Sequence, residues 1–265
     1  MGSASHFSLS KWYLDCVAEN GDAIVVYSGS LRWRALSLEY SSMLIWLSGG
    51  KIHAKATLKK CPPPNMSGKS IRWSCPPLKL EGRWEAQSQP IYRRLFEASK
   101  TPIEWSCHQP RSLASVSVVG IGEFRGFGYV EFLEMSAKSW QLPLQELRWG
   151  RFLSEEEAIV WMDFRGPQPE TLVFRDGQLC KDAFVTDCGI SLEGESITLS
   201  LEETRVLREG ALVSTALSVI PGVNKLLPAK MLNTHECKWR SRGILRDAQS
   251  VLSTGWAIHE VVKWP

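Results

Sequence analysis

The chain has 265 residues, 44% apolar and 22% charged, with 20 glycines and 14 prolines, which excludes collagen-like, low-complexity and disordered chains and leaves room for one large or two small cores. The net charge is only +3, with the charges scattered, so no field draws in nucleic acid. Seven cysteines are an odd number with no C-x-x-C pair, which argues against a disulfide framework or a zinc ribbon and predicts free thiols.

Reading from the N-terminus, MGSASHFSLSKWYLD lacks a basic start followed by an apolar stretch, so no secretory signal is expected and the cytoplasm is the default location. Residues Ala35 to Trp46 read as a short helical piece without caps at both ends. Within them the longest apolar run, Met43 to Leu47, falls far short of the roughly 20 residues that span a bilayer. No transmembrane segment is expected, and only peripheral membrane contact is left open. From Lys51 to Lys59, Ile52, Ala54, Ala56 and Leu58 alternate with polar residues, predicting a half-buried strand. The stretch Cys61 to Pro77 is rich in proline and reads as a loop or a long hairpin connection. Its Gly68-Lys69-Ser70 resembles the end of a phosphate-binding loop, but Pro63 stands where the first glycine belongs, and no phosphate site is expected. Leu78, Leu80 and Trp84 mark a further strand, as do Ile197, Leu199 and Leu201, while Glu202 to Arg208 is a second short helical candidate. The pattern as a whole predicts an all-β chain.

An internal repeat organises these strands. Gly126-Phe127-Gly128-Tyr129-Val130-Glu131 returns as Gly255-Trp256-Ala257-Ile258-His259-Glu260, and Trp12 before the apolar run Ala23 to Gly29 returns as Trp149 before Ala158 to Gly166. Both correspondences keep nearly the same offset and the same order. Two similar β domains follow, residues 1–138 and 139–265. Some eight antiparallel strands in each most economically close as an up-and-down barrel or curl into a sandwich.

Trp12-Tyr13-Leu14-Asp15 followed by Asn20-Gly21-Asp22, then Trp105-Ser106-Cys107 with Pro110, then the glycine-rich strand ending at Glu131, resemble the tandem lipocalin-like family of hydroxyneurosporene synthase, the carotenoid hydratases. That resemblance implies two calycin-type antiparallel barrels and kinship with fungal Diels-Alderases and, more distantly, tocopherol cyclase, all of which handle long apolar polyenes or isoprenoids. Two departures bear on substrate geometry: the family acid at Glu131 is usually Asp, and the motif more often carries Arg where this chain has Phe127.

The candidate chemistry centres on Glu131. Its strand face also carries Phe127, Tyr129, Leu133 and Met135, so the reading is a carboxyl set among apolar side chains, where desolvation favours the neutral acid. The competing reading is a surface or ion-paired carboxylate. Glu131 and Tyr129 are the catalytic candidates. Trp105, Phe127, Trp12, Asp15, His108, Trp256 and Glu260 are the substrate-binding candidates, with Glu260 also read as a carboxylate paired to a nearby Lys or Arg. His235-Glu236 and His259-Glu260 lack the second histidine of a zincin, so neither metal nor cofactor is expected. Twelve tryptophans supply aromatic wall, more of it for core than for ligand. The expected function is acid-catalysed hydration or cyclisation of a lipophilic polyene or isoprenoid in a hydrophobic barrel or an inter-domain pocket. The alternatives are a pericyclase that pre-folds its substrate and a non-catalytic carrier.

Overall fold

The computed structural model describes residues 7–33, 36–96, 103–214 and 228–265. The chain divides into two compact units, Met1–Leu142 and Pro143–Pro265. The first contains β1 (Phe7–Ala18), β2 (Ala23–Trp33), β3 (Leu36–Trp46), β4 (Ile52–Thr57), β5 (Asn65–Ser67), β6 (Ser70–Cys75), β7 (Leu80–Ala86), β8 (Ile91–Leu95), β9 (Ile103–Val118) and β10 (Gly122–Met135). The second contains β11 (Glu146–Leu153), β12 (Ala158–Arg165), β13 (Glu170–Arg175), β14 (Gln178–Leu179), β15 (Ala183–Val185), β16 (Gly189–Leu192), β17 (Ile197–Ala211), a one-turn helix α1 (Ala229–Leu232), β18 (His235–Arg246) and β19 (Val251–Lys263). No described helix is long and apolar enough to cross a membrane.

Each unit is one antiparallel sheet, and the two sheets share a strand order. The first runs β4-β3-β2-β1-β10-β9-β7-β6-β5 with β8 added beside β9, and the second runs β14-β13-β12-β11-β19-β18-β17-β16-β15. Both curl on themselves. Met43 and Ile45 of β3 share one buried core with Ile71 and Trp73 of β6, though those strands stand near opposite ends of the sheet. In the second unit Val173 of β13 meets Val185 and Ile190 in the same way.

The repeat is registered to the residue by two close approaches of backbone. A Cβ on Gly126 would stand 2.1 Å from the carbonyl oxygen of Val17, and a Cβ on Gly255 would stand 2.0 Å from that of Leu153. Only glycine fits either place. From there the ladders run in step: Tyr13 pairs with Glu131 as Trp149 pairs with Glu260, and Asp15 pairs with Tyr129 as Arg151 pairs with Ile258.

Four sequence-level expectations are corrected. Leu36–Trp46 is a strand, not a helical piece, because Ser41 through Trp46 are all buried and a strand covered on both faces loses its alternation; Ala35 lies outside the described residues. Glu202 to Arg208 also belongs to a strand, β17, where register shifts between Glu202 and Arg205 and between Val206 and Arg208, with Glu203 at φ 47°, scramble the period of two. Cys61 to Pro77 is not loop throughout: its prolines flank the segment Asn65 to Cys75, which is free to pair as the β5–β6 hairpin around Gly68. β4 occurs as expected but is not half-buried, since it is an edge strand on which Ile52, 49% exposed, and Ala54, also exposed, leave the apolar face largely uncovered. All seven cysteines are free thiols.

Candidate functional site

The register of β1 and β10 sorts their side chains onto two faces. Leu14 and Val130, a cross-strand pair, enter the barrel core of the first unit. Their neighbours Tyr13, Asp15, Tyr129 and Glu131 therefore point to the opposite face, and they are buried there: Asp15 and Tyr129 at 0% exposure and Glu131 at 6%. Cys107 of β9 pairs with Glu131, which places it on the same face, with Trp105 two residues away. Beside this pairing β9 carries two irregularities, at His108 and at Pro110-Arg111, which leave those residues without an opposite number on β10. Such bulges re-aim side chains locally.

The result is a cluster of hydroxyl, indole and thiol groups around two carboxyls. Tyr129 Oη and Trp105 Nε1 each donate a hydrogen bond of 2.7 Å to the same oxygen, Glu131 Oε2. On the neighbouring strand Tyr13 Oη donates to Asp15 Oδ2 at 3.0 Å. The sequence pattern Tyr-x-acid thus occurs twice, antiparallel, each tyrosine opposite the other strand's carboxyl. Tyr13 stands edge-on to both Tyr27 and Tyr129, at 5.4 Å and 5.9 Å between ring centres. Burial pushes the Tyr129 phenol well above its ordinary range, and the adjoining Cys107 and Glu131 push it further, so it stays a donor. Burial likewise raises the Cys107 thiol, against a hydrogen bond with Tyr129 that lowers it, so Cys107 is no nucleophile at neutral pH.

Of the residues singled out from sequence, Glu131, Tyr129, Trp105 and Asp15 come together on this face. Phe127, half-buried, lies on the same face of β10, beyond Tyr129. Trp12 and His108 do not join them. Trp12 packs against the barrel core, stacked on His108 at 5.2 Å and tilted on Phe132 at 4.7 Å, because Trp12 and Phe132 pair on the inward face. Burial lowers the His108 pKa. Trp256 and Glu260 belong to the second unit. There Glu260 is ion-paired with the fully buried Lys238, whose ammonium lies 5.2 Å from the centre of the Trp149 ring, and Trp256 stacks on Arg240 at 4.2 Å. Among the described residues no three His, Cys, Asp or Glu side chains stand close enough to hold a metal ion.

Sequence reading missed Tyr13, Tyr27 and Cys107. The twice-occurring Tyr-x-acid pattern is a signal for Tyr13, and Trp105-x-Cys107 on an alternating strand is one for the thiol. Tyr27 carries no signal, since it arrives only through its pairing with Tyr13.

Neither a protein-family model nor any curated protein sequence matches the chain. Solved structures do. CghA, in its crystal structure with Sch210972, superposes at TM-score 0.57 with 11% identity, over 97% of this chain and 88% of that one. Kievitone hydratase from Nectria haematococca gives 0.53 at 10% identity, over 98% and 90%. An AttH-type protein from Nitrosomonas europaea gives 0.51 at 8% identity, over 100% and 95%. Matches that run the length of both chains in each case, together with the paired strand orders, mean that this all-β chain has the tandem lipocalin-like fold that its motifs resemble.

Proposed function

We propose that the chain is an enzyme that hydrates or cyclises a lipophilic polyene or isoprenoid, with Glu131 as the proton-transfer group. The observation that carries this reading is a buried carboxyl whose Oε2 is fixed by two donors, Tyr129 and Trp105, among aromatic rings. An indole N–H only donates, so Oε2 is held as an acceptor and the proton of a neutral Glu131 sits on Oε1. That proton passes to one alkene carbon and leaves a cation at the other. Water then adds to the cation and returns a proton to the carboxylate, so the net change is addition of water. Where an internal alkene captures the cation instead, a proton lost from the ring-closed cation restores the acid. The rings of Trp105, Tyr13 and Tyr27 would attract the cation by about 0.5 to 2 kcal/mol each. Kievitone hydratase, a protein of this fold, supports hydration as a chemistry the fold accommodates.

A second reading, substrate pre-folding without proton transfer, is supported by the same two hydrogen bonds, since donors on a carboxyl oxygen also stabilise its anion. CghA with Sch210972 supports the capacity of the fold for a small-molecule ligand, which a carrier would share. The test begins with extraction of purified protein and mass spectrometry of the lipophilic molecules released, followed by turnover of the identified compound in deuterated water. Proton delivery puts solvent deuterium on carbon, and Glu131→Gln should lower the rate by about 10² to 10⁴ with the substrate still bound. Turnover of Glu131→Gln at the wild-type rate, or product free of deuterium on carbon, selects the second reading.

A further inference from the structure

The two units have diverged on their inward faces as well. Where the first unit has Leu14, Val26, Val130 and Gln109, the second has Gly150, Trp161, His259 and Trp239 at the matching places in its ladders. The substitution replaces three aliphatic side chains and a glutamine with a glycine and three aromatic rings. A Cβ on Gly150 would stand 2.2 Å from Trp161 Cζ2 and 2.8 Å from His259 Cβ, so glycine there lets the indole lie across β11 beside the imidazole. Trp239 stacks on His259 from the other side, 5.2 Å between ring centres at 23°. Around these rings lies a cavity of about 250 Å³ lined also by Val185 and Leu201. Arg148 and Asp187 form its polar rim as an ion pair, and Asp187 is 83% exposed, which marks the side open to solvent.

His259 sets an imidazole between these rings, while Thr186, Thr204 and Glu260 also line the cavity. The imidazole shares, at Nε2, a hydrogen bond of 2.9 Å with Ser241 Oγ, which in turn shares one of 2.9 Å with Thr204 Oγ1. Its Nδ1 makes no hydrogen bond to a described residue. Because a chain of two hydroxyls can reverse its donor direction, the imidazole can present Nδ1 as either donor or acceptor without leaving Nε2 unsatisfied. The rim cation, Arg148, is already matched by Glu146 and Asp187. An anion therefore gains little there.

We propose that this cavity is a second ligand site, separate from the Glu131 face, which takes a small neutral molecule with a flat conjugated body and a single hydroxyl or carbonyl group bound to His259. Its volume lies below that of pockets for drug-sized molecules, which limits the occupant to about one or two fused rings. The aromatic walls supply stacking and apolar burial, and the imidazole supplies orientation.

The probe is 2-naphthol, titrated into the full-length protein and followed by tryptophan fluorescence, with naphthalene as the partner lacking the hydroxyl. Saturable binding of 2-naphthol is expected, with naphthalene weaker by about three- to tenfold, the worth of one hydrogen bond. His259→Phe should abolish that preference while leaving naphthalene affinity nearly unchanged. Leu201→Trp, which fills the chamber from the wall, should abolish binding of both and serves if the histidine variant does not fold. Glu131→Gln should bind the probe as wild type does. Absence of saturable binding, an intact hydroxyl preference in His259→Phe, undiminished binding in Leu201→Trp, or loss of binding in Glu131→Gln would each overturn the proposal.

Discussion

Glu131 and Glu260 occupy the same place in two copies of one sheet, and the chain has made each carboxyl tolerable by a different route. Glu131 is held by neutral donors, a phenol and an indole, with a thiol across the strand. Glu260 is held by the ammonium of Lys238, at the place that Cys107 takes in the first unit. Among the described residues the buried charged side chains of the first unit are two acids, Asp15 and Glu131, with no base. The second buries Arg151, Lys238 and Arg240 beside Asp163 and Glu236. A carboxylate beside a buried ammonium is committed to its charge, because protonating it would strand the cation. A carboxyl among neutral donors can carry or release a proton at far smaller cost. That difference is why we propose proton transfer in the first unit and not in the second.

The largest effect should come from removing the cation. Lys238→Met leaves Glu260 without its counter-charge and should cost about 3 to 5 kcal/mol in urea unfolding, most of it recovered in Lys238→Met/Glu260→Leu. Glu131→Gln should cost under about 1 kcal/mol, since the amide oxygen still accepts from Tyr129 and Trp105. If the two single variants were equally damaging, the contrast between the units would fail.

Acid should act on the second unit next. Burial and then Lys238 hold the His259 pKa down to about 4 from 6.5, against the opposing pull of Glu260. Between those values the unfolded chain binds a proton that the folded chain refuses, so stability falls as pH falls through the window. The loss reaches about 3 kcal/mol at its lower end. Above the window both states are neutral and the group contributes nothing. Urea midpoints for wild type and His259→Phe, compared from neutral pH down to about 4.5, should show a shallower decline in the variant.

Gly150→Ala sets a methyl group against Trp161 and should cost about 1 to 3 kcal/mol by overpacking, read as a lowered Tm. Tyr129→Phe should cost about 1 kcal/mol, because Trp105 still donates to Glu131. A larger loss would mean that the phenol does more than hold the carboxyl.

Much of the fold is legible in the residues. Alternating runs mark the strands, and Gly126 and Gly255 mark the repeat, for the backbone reason that no side chain fits against the facing carbonyl. The segments misread as helix, 35–46 and 202–208, are those in which period two is hidden, by burial of both faces in the first and by bulges in the second. The site was half legible. Glu131, Tyr129, Trp105 and Asp15 share a face, as strand parity and motif suggested, whereas Trp12 and His108 fall on the other face. Parity along one strand says nothing of which side a neighbouring strand presents. The irregularities in β9 that isolate His108 leave no mark in composition.

The sequence by itself determined the all-β class, the twofold organisation and the acid that stands at its repeated position, because strand period and glycine placement are local properties of the chain. Only the tertiary structure decided that one repeated carboxyl meets a phenol and an indole while its twin meets an ammonium. It alone also placed Trp161, His259 and Trp239 around a cavity, at the places where the first unit has Val26, Val130 and Gln109. Apart from Tyr129 and Glu131, which stand two residues apart, those pairings join residues that the chain separates by about twenty positions or more, and the register of strands, which no local pattern encodes, sets which of them touch.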